Sequence, residues 1–128
     1  MPCRGLRGAT TAAANTAEAI QSATRELLEC LVEANRLDPD EIASVIFTMS
    51  PDLNAAYPAT TARELGWYEV ALLCAQEIDV PEGVKRCIRV LIHWNTEKPP
   101  HELVHVYLNG AVGLRPDRIR AALTDEPT

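Results

Sequence analysis

The sequence predicts an α+β fold: a five-stranded mixed sheet with helices on one face. Two observations carry this. Short apolar runs bounded by Gly, Pro and Asn alternate with a few longer amphipathic stretches, in the order β-α-β-α-β-β-β-α. The strand-like runs also differ between their two sides, with one side wholly apolar and the other bearing Arg, His, Cys or Tyr.

Residues 3–11 are rich in Gly and Thr and read as the first strand. Asn15 then caps a helix, with Glu18 completing a capping-box-like pattern. Ile20, Ala23, Leu27, Leu31 and Ala34 share one face at helical spacing, against Arg25, Glu26, Glu29 and Glu33 on the other. Asn35 ends this helix, and Asp38-Pro39 opens a short turn by the cap-then-proline rule. Residues 43–49 form a buried strand that Ser50-Pro51-Asp52 breaks. Tyr57-Pro58 begins a short helix over 59–65, stopped by Gly66. Residues 69–76 are the third strand, 81–83 a turn, 86–94 a long fourth strand and 104–108 the fifth. Pro116 starts a C-terminal helix carrying Ile119, Ala122 and Leu123.

Side-chain alternation puts Cys87, Arg89, Leu91 and His93 on one face of the fourth strand, and Ile88, Val90, Ile92 and Trp94 on the other. Leu72, Cys74 and Gln76 share a face, as do His105 and Tyr107. The apolar faces must meet the helices. Arg89, Cys74 and Tyr107 then belong to a second, semi-polar face that one small domain has too few helices to cover. Oligomerisation through that face is the natural solution, with cyclic symmetry its usual form.

The length of 128 residues fits a single domain, 1–128, able to bury roughly two thirds of its unfolded surface. A net charge of −6 argues against a general nucleic-acid binder, whose phosphate contacts need a basic surface. No apolar run reaches the roughly 18 residues of a membrane span, and the N-terminus carries no signal core, so a cytoplasmic protein is expected. Cys3, Cys30, Cys74 and Cys87 lack paired spacing and read as free thiols. Ten of the 12 basic residues are Arg, which suits carboxylate recognition; a genome-wide preference for Arg codons accounts for it equally well.

His101-Glu102-Leu103-Val104-His105 matches H-E-x-x-H, but a zinc peptidase needs that motif on a helix. Residues 104–108 read as a strand, and no third ligand follows at a familiar spacing, so no metal site is expected. No Gly-rich phosphate loop is present, and no base is evident beside any Cys. The Arg set stands out. Arg7, Arg63, Arg89 and Arg115 come from separated segments, and Arg89 sits between Ile88 and Val90, where a charge needs a partner. With Glu77 and Tyr107 they supply cations, an anion and a phenol, able to hold a small dicarboxylate bearing a hydroxyl. Such a set suits orientation and charge stabilisation rather than proton transfer.

Several blocks in order give the chain a family resemblance: Arg4-Gly5-Leu6-Arg7-Gly8-Ala9-Thr10-Thr11, Pro51-Asp52-Leu53, Tyr57-Pro58-Ala59 with Ala62-Arg63-Glu64-Leu65, Gln76-Glu77-Ile78-Asp79-Val80, Cys87-Ile88-Arg89-Val90, His105-Val106-Tyr107-Leu108 and Leu114-Arg115-Pro116-Asp117. The chain resembles the monofunctional chorismate mutases that trimerise into a pseudo-α/β barrel. The resemblance implies a cofactor-free Claisen rearrangement of chorismate to prephenate, in phenylalanine and tyrosine biosynthesis, by a homotrimer with active sites at subunit interfaces.

It also implies roles. Arg89 would hold the ether oxygen as the C–O bond breaks, and Glu77 would accept from the ring hydroxyl, assisted by Cys74. Arg7 and Tyr107 would bind the enolpyruvyl carboxylate. Tyr57, Ala59, Leu72 and Leu73 would line the pocket from a neighbouring subunit. Arg63 would lie near the mouth, as would Arg115 beside Leu114. Thr60 stands where family members can carry a long charged side chain, and a lone Gly66 makes the segment before Trp67 one residue shorter than in some members. A non-catalytic trimeric protein that binds small carboxylic acids is the alternative.

Overall fold

The structure, a computed structural model, describes residues 1–114. Five strands, β1 (Cys3–Thr11), β2 (Ile42–Met49), β3 (Ala71–Gln76), β4 (Cys87–Asn95) and β5 (Val106–Tyr107), form one sheet in the order β3-β2-β4-β1-β5. The central strand β4 is antiparallel to both β1 and β2. The outer pairs β1–β5 and β2–β3 are parallel, which makes the sheet mixed as the sequence predicts. The expected C-terminal helix lies outside the described residues. Among the described residues no helix is long and apolar enough to cross a membrane.

Helix α1 (Ala17–Asn35) buries Ile20, Ala23, Leu27, Leu28 and Leu31. Its cap is Thr16, whose hydroxyl accepts from the Ala19 N–H at 3.1 Å, and Glu18 in the first turn favours the helix dipole. Asn15, the cap expected from sequence, is committed elsewhere: its side-chain oxygen accepts from the backbone N–H groups of Asn54 and Ala55. Asn35 is the last helical residue, as expected, but it is buried rather than a surface stop. Its side-chain nitrogen donates to the carbonyls of Leu31 and Val104, and its oxygen accepts from the Val104 N–H at 2.8 Å.

Helix α2 (Pro58–Glu64) starts on a proline, which has no N–H to lose. It ends where Gly66 takes φ 99°, a conformation that favours glycine. Trp67 and Gly66 return their N–H groups to the carbonyls of Ala62 and Arg63, closing the last turn.

Both helices lie on one face. Leu6, Val45, Phe47, Val90, Ile92 and Trp94 of the sheet meet Leu27, Leu28 and Leu31 of α1 and Ala59 and Ala62 of α2. Each fully buried Leu, Ile or Phe stabilises by about 1.5–3 kcal/mol, so this layer dominates the fold's stability. Close approach of α1 explains Gly8: a Cβ there would sit 2.9 Å from Leu31 Cδ1 and 3.2 Å from the Val106 carbonyl oxygen.

Among the described residues, the second face is covered at one corner only. There a 3-10 turn, Asn109–Leu114, packs Ala111 and Leu114 against Ala9 and Tyr107. The alternation expected for β4 is visible in its burial, with Ile88, Val90, Ile92 and Trp94 buried and Arg89 exposed. Cys87 is the exception, being buried at the strand's start. The expected grouping of Cys74 with Arg89 fails. Cys74 lies directly opposite Phe47 and packs against the helix-side core, so Leu73 and Ala75 occupy the open face of β3.

Candidate active site

The register lines up a row across the open face. Tyr107 lies opposite Ala9, Ala9 opposite Arg89, Arg89 opposite Thr48, and Thr48 opposite Ala75. The next row contains Arg7, Leu91, Ile46 and Leu73. Ala9, between the long side chains of Tyr107 and Arg89, leaves room for a depression of about 210 Å³ lined by Arg7, Ala9, Thr48, Glu77, Arg89 and Tyr107. A second depression of about 510 Å³ shares Glu77 and Arg89 and extends towards Asp52, Asp79, Lys85 and Cys87. The smaller one alone lies below the roughly 300–1,000 Å³ of ordinary ligand pockets; with its neighbour it reaches that range.

The chain supplies a partner for Arg89. Glu77, one residue past the end of β3, continues that strand's pairing through its N–H to the Met49 carbonyl at 2.8 Å. Its Oε2 lies 3.4 Å from Arg89 Nε and also accepts from the Thr48 hydroxyl. The Arg89 side chain remains 44% exposed, and an ion pair that open contributes about 0–1 kcal/mol to stability. The arrangement therefore offers little as a structural device. It presents a guanidinium and a carboxylate side by side at the edge of a concavity.

Neighbouring groups frame this pair. Tyr107 is buried against Ala9, Ala111 and Leu114. The Arg7 backbone N–H donates to His105 Nδ1 at 3.0 Å, tying β1 to the residue two before Tyr107. Burial pushes the Cys87 thiol pKa up, and the nearby Arg89 charge opposes this only in part. The thiol therefore stays protonated near neutrality, a poor state for a nucleophile. Ser50 and Asp52 staple the end of β2 to the start of β4: Asp52 accepts from the Arg86 N–H at 2.9 Å, and Ser50 Oγ from the Cys87 N–H at 2.8 Å.

The Ser50 hydroxyl, together with the Arg86 N–H, holds the Asp52 carboxyl below its ordinary value. A depressed carboxylate contributes stability that is fully present above its unfolded pKa and is lost as pH falls through its folded pKa. Asp52→Asn is therefore expected to lower the denaturant midpoint at pH 7 and to flatten the loss of stability below about pH 4. Denaturation curves from pH 7 down to pH 2 check this; parallel wild-type and variant profiles would rule it out.

Of the residues singled out in the sequence, Arg7, Glu77, Arg89 and Tyr107 line one depression, with Leu114 beside Tyr107. Arg115 lies outside the described residues. The others cluster around α2 and β3. Tyr57, 68% exposed, lines with Cys74 and Gln76 a separate depression of about 440 Å³. Ala59 is buried in the core, Leu72 packs against it, Leu73 is exposed on the open face, and Arg63 is exposed in the last turn of α2.

Nothing in the sequence points to Thr48 or Ala9, because only the cross-strand register brings them beside Arg89. His101 is exposed on a 3-10 turn, Pro100–Glu102, while His105 is buried with Nδ1 engaged by Arg7, so the H-E-x-x-H residues share no helix face. Among the described residues no cluster of His, Cys, Asp and Glu could hold a metal ion.

Comparison with known proteins gives this geometry a family. The family model "Chorismate mutase type I" matches residues 3–118. A Thermus thermophilus protein named chorismate mutase AroH is 51% identical over 115 residues, covering 89% of this chain and 94% of the relative. A Bacillus subtilis protein of the same name is 44% identical over 118 residues, covering 91% and 93%. The solved structure of a chorismate mutase from Clostridium thermocellum superposes with a TM-score of 0.83 at 50% identity, covering 84% of this chain and 96% of that one. A family model matched across nearly the whole chain, with relatives at 44–51% identity, has one consequence: the chain belongs to the type I chorismate mutase family of isomerases.

Proposed function

We propose that this isomerase converts chorismate to prephenate without a cofactor, in the cytoplasm, as a homotrimer whose active sites form between subunits. The observation that carries this reading is the convergence of Arg7, Glu77, Arg89 and Tyr107 on one depression of an open sheet face. The reaction is unimolecular: one C–O bond breaks while one C–C bond forms, and no proton leaves. Catalysis then consists of preferring a compact, charge-separated transition state. Arg89 faces the ether oxygen, where negative charge grows. Glu77 accepts from the ring hydroxyl, and Arg7 and Tyr107 hold the carboxylate that folds the enolpyruvyl arm over the ring.

The interface reading has its own support. Leu73, Ile78 and Val80 are 60%, 83% and 57% exposed, an apolar display at one border of the open face. Covering it with a second copy brings that copy's α2 and β3 towards the depression, where Tyr57, Ala59, Leu72 and Leu73 complete the wall. Arg63 lies near the mouth, and Leu114 packs beside Tyr107. No nucleic acid or membrane takes part.

Purified protein is expected to consume chorismate, followed by its absorbance, at the same rate with and without EDTA, and to sediment as three chains. No loss of absorbance would favour a binding protein that has kept the pocket. Sensitivity to EDTA would overturn the cofactor-free mechanism.

A further inference from the structure

We propose that Thr48 is a positioning residue for this rearrangement, holding Glu77 so that carboxylate and guanidinium face the bound ring together. The inference rests on the function proposed above. Thr48 occupies the middle of the site row, directly between Arg89 on β4 and Ala75 on β3. Its hydroxyl donates to Glu77 Oε2, the same oxygen that lies 3.4 Å from Arg89 Nε. One carboxylate oxygen thus takes both protein contacts, which leaves Oε1 to accept from a substrate hydroxyl.

The need for such a group follows from where Glu77 sits. It lies one residue beyond an edge strand, and its long side chain has rotamers that its backbone does not fix. Thr48 is β-branched and lies within a strand, so its own χ1 is restricted and its hydroxyl direction is set by the sheet. Without that donor, Glu77 is free to take the guanidinium with both oxygens, the favoured geometry of an Arg–carboxylate pair. That arrangement consumes the acceptor meant for the ring hydroxyl. It also turns Arg89 towards its own chain and away from the ether oxygen. A purely structural role for the hydroxyl would instead affect stability and leave turnover per folded enzyme untouched.

The test compares kcat/KM for chorismate in T48V, T48S, E77A and the double variant T48V/E77A, with the thermal midpoint of each. Valine keeps the shape of threonine and removes the donor. T48V is expected to lose about tenfold or more in kcat/KM, the scale of a hydrogen bond to a charged group, with its midpoint near wild type. T48S should recover most of that loss, and adding T48V to E77A should change little, because the two act as one unit. Wild-type kcat/KM in T48V alongside an impaired E77A overturns the inference and leaves the function standing. So does a T48V penalty that persists undiminished in E77A. Unimpaired E77A removes the roles of both Glu77 and Thr48, while a wild-type enzyme that leaves chorismate unchanged removes the function itself.

Discussion

Arg89→Ala is expected to abolish turnover of chorismate while leaving the protein folded. The expectation for folding comes from exposure and packing. The Arg89 side chain is 44% exposed on the open face of β4, and the core beneath it is built from its neighbours Ile88 and Val90 on the opposite face. Truncation opens no cavity in that core and removes an ion pair worth about 0–1 kcal/mol. Glu77 keeps its bond from Thr48 and its access to water, so no buried charge is stranded.

The expectation for activity comes from timing. A cation beside the ether oxygen interacts weakly with neutral ground-state oxygen and strongly once the C–O bond has stretched. Its loss therefore falls on kcat rather than on KM. Removing one donor from a comparable oxyanion site costs about 10²–10³ in kcat, and here the donor is a full charge. Arg89→Lys keeps the charge but not the planar fork, so it should recover only part of the rate. Absorbance assays at saturating chorismate, with sedimentation and circular dichroism on the same sample, decide the matter. Near-normal turnover in a folded Arg89→Ala enzyme would refute the mechanism.

Elements whose signals are local were readable from the sequence, and relations between elements were not. The strand over 3–11 is reproduced end to end, because Gly, Thr and β-compatible residues there compete with no helical pattern. Gly66 stops α2 as expected, because the φ > 0 position is a property of a single residue. The choice of helix cap went to Thr16 over Asn15, both competent, because a distant segment at Asn54 and Ala55 claims the asparagine.

The site divides in the same way. Arg89 announced itself through Ile88 and Val90 on either side. Sequence alternation alone puts Cys74 on the wrong face, because its own strand alternates too weakly to show which side is covered; pairing with Phe47 decides it. Thr48 could have been found only by knowing that β2 and β4 align it opposite Arg89. Register of this kind is set by the packed core as a whole, and no window of sequence contains it.

Asn35 shows how far such a long-range relation reaches, and Asn35→Ala is expected to be among the most destabilising substitutions outside the apolar core. Asn35 is 1% exposed and uses its amide to satisfy the N–H and the C=O of Val104, 69 residues away. Alanine would leave both groups without that partner, at about 1–3 kcal/mol for each group that water cannot reach. A loss of roughly 2–4 kcal/mol is a large fraction of the 5–15 kcal/mol that holds a domain of ordinary stability together.

The effect should extend to the site through the chain itself. Val104 precedes His105, which fixes the Arg7 N–H, and Tyr107, which lines the depression. With Val104 released, the two-residue strand β5 keeps only a short pairing to β1, and Tyr107 is no longer held opposite Ala9. Arg7 and Tyr107 are assigned to one substrate carboxylate, so their separation should raise KM more than it lowers kcat. That split is the reverse of the Arg89 result. Urea denaturation together with steady-state kinetics well below the variant's unfolding temperature separates the two effects. A midpoint equal to wild type would mean that water replaces the amide at no cost, and the clamp would then be no part of what positions the site.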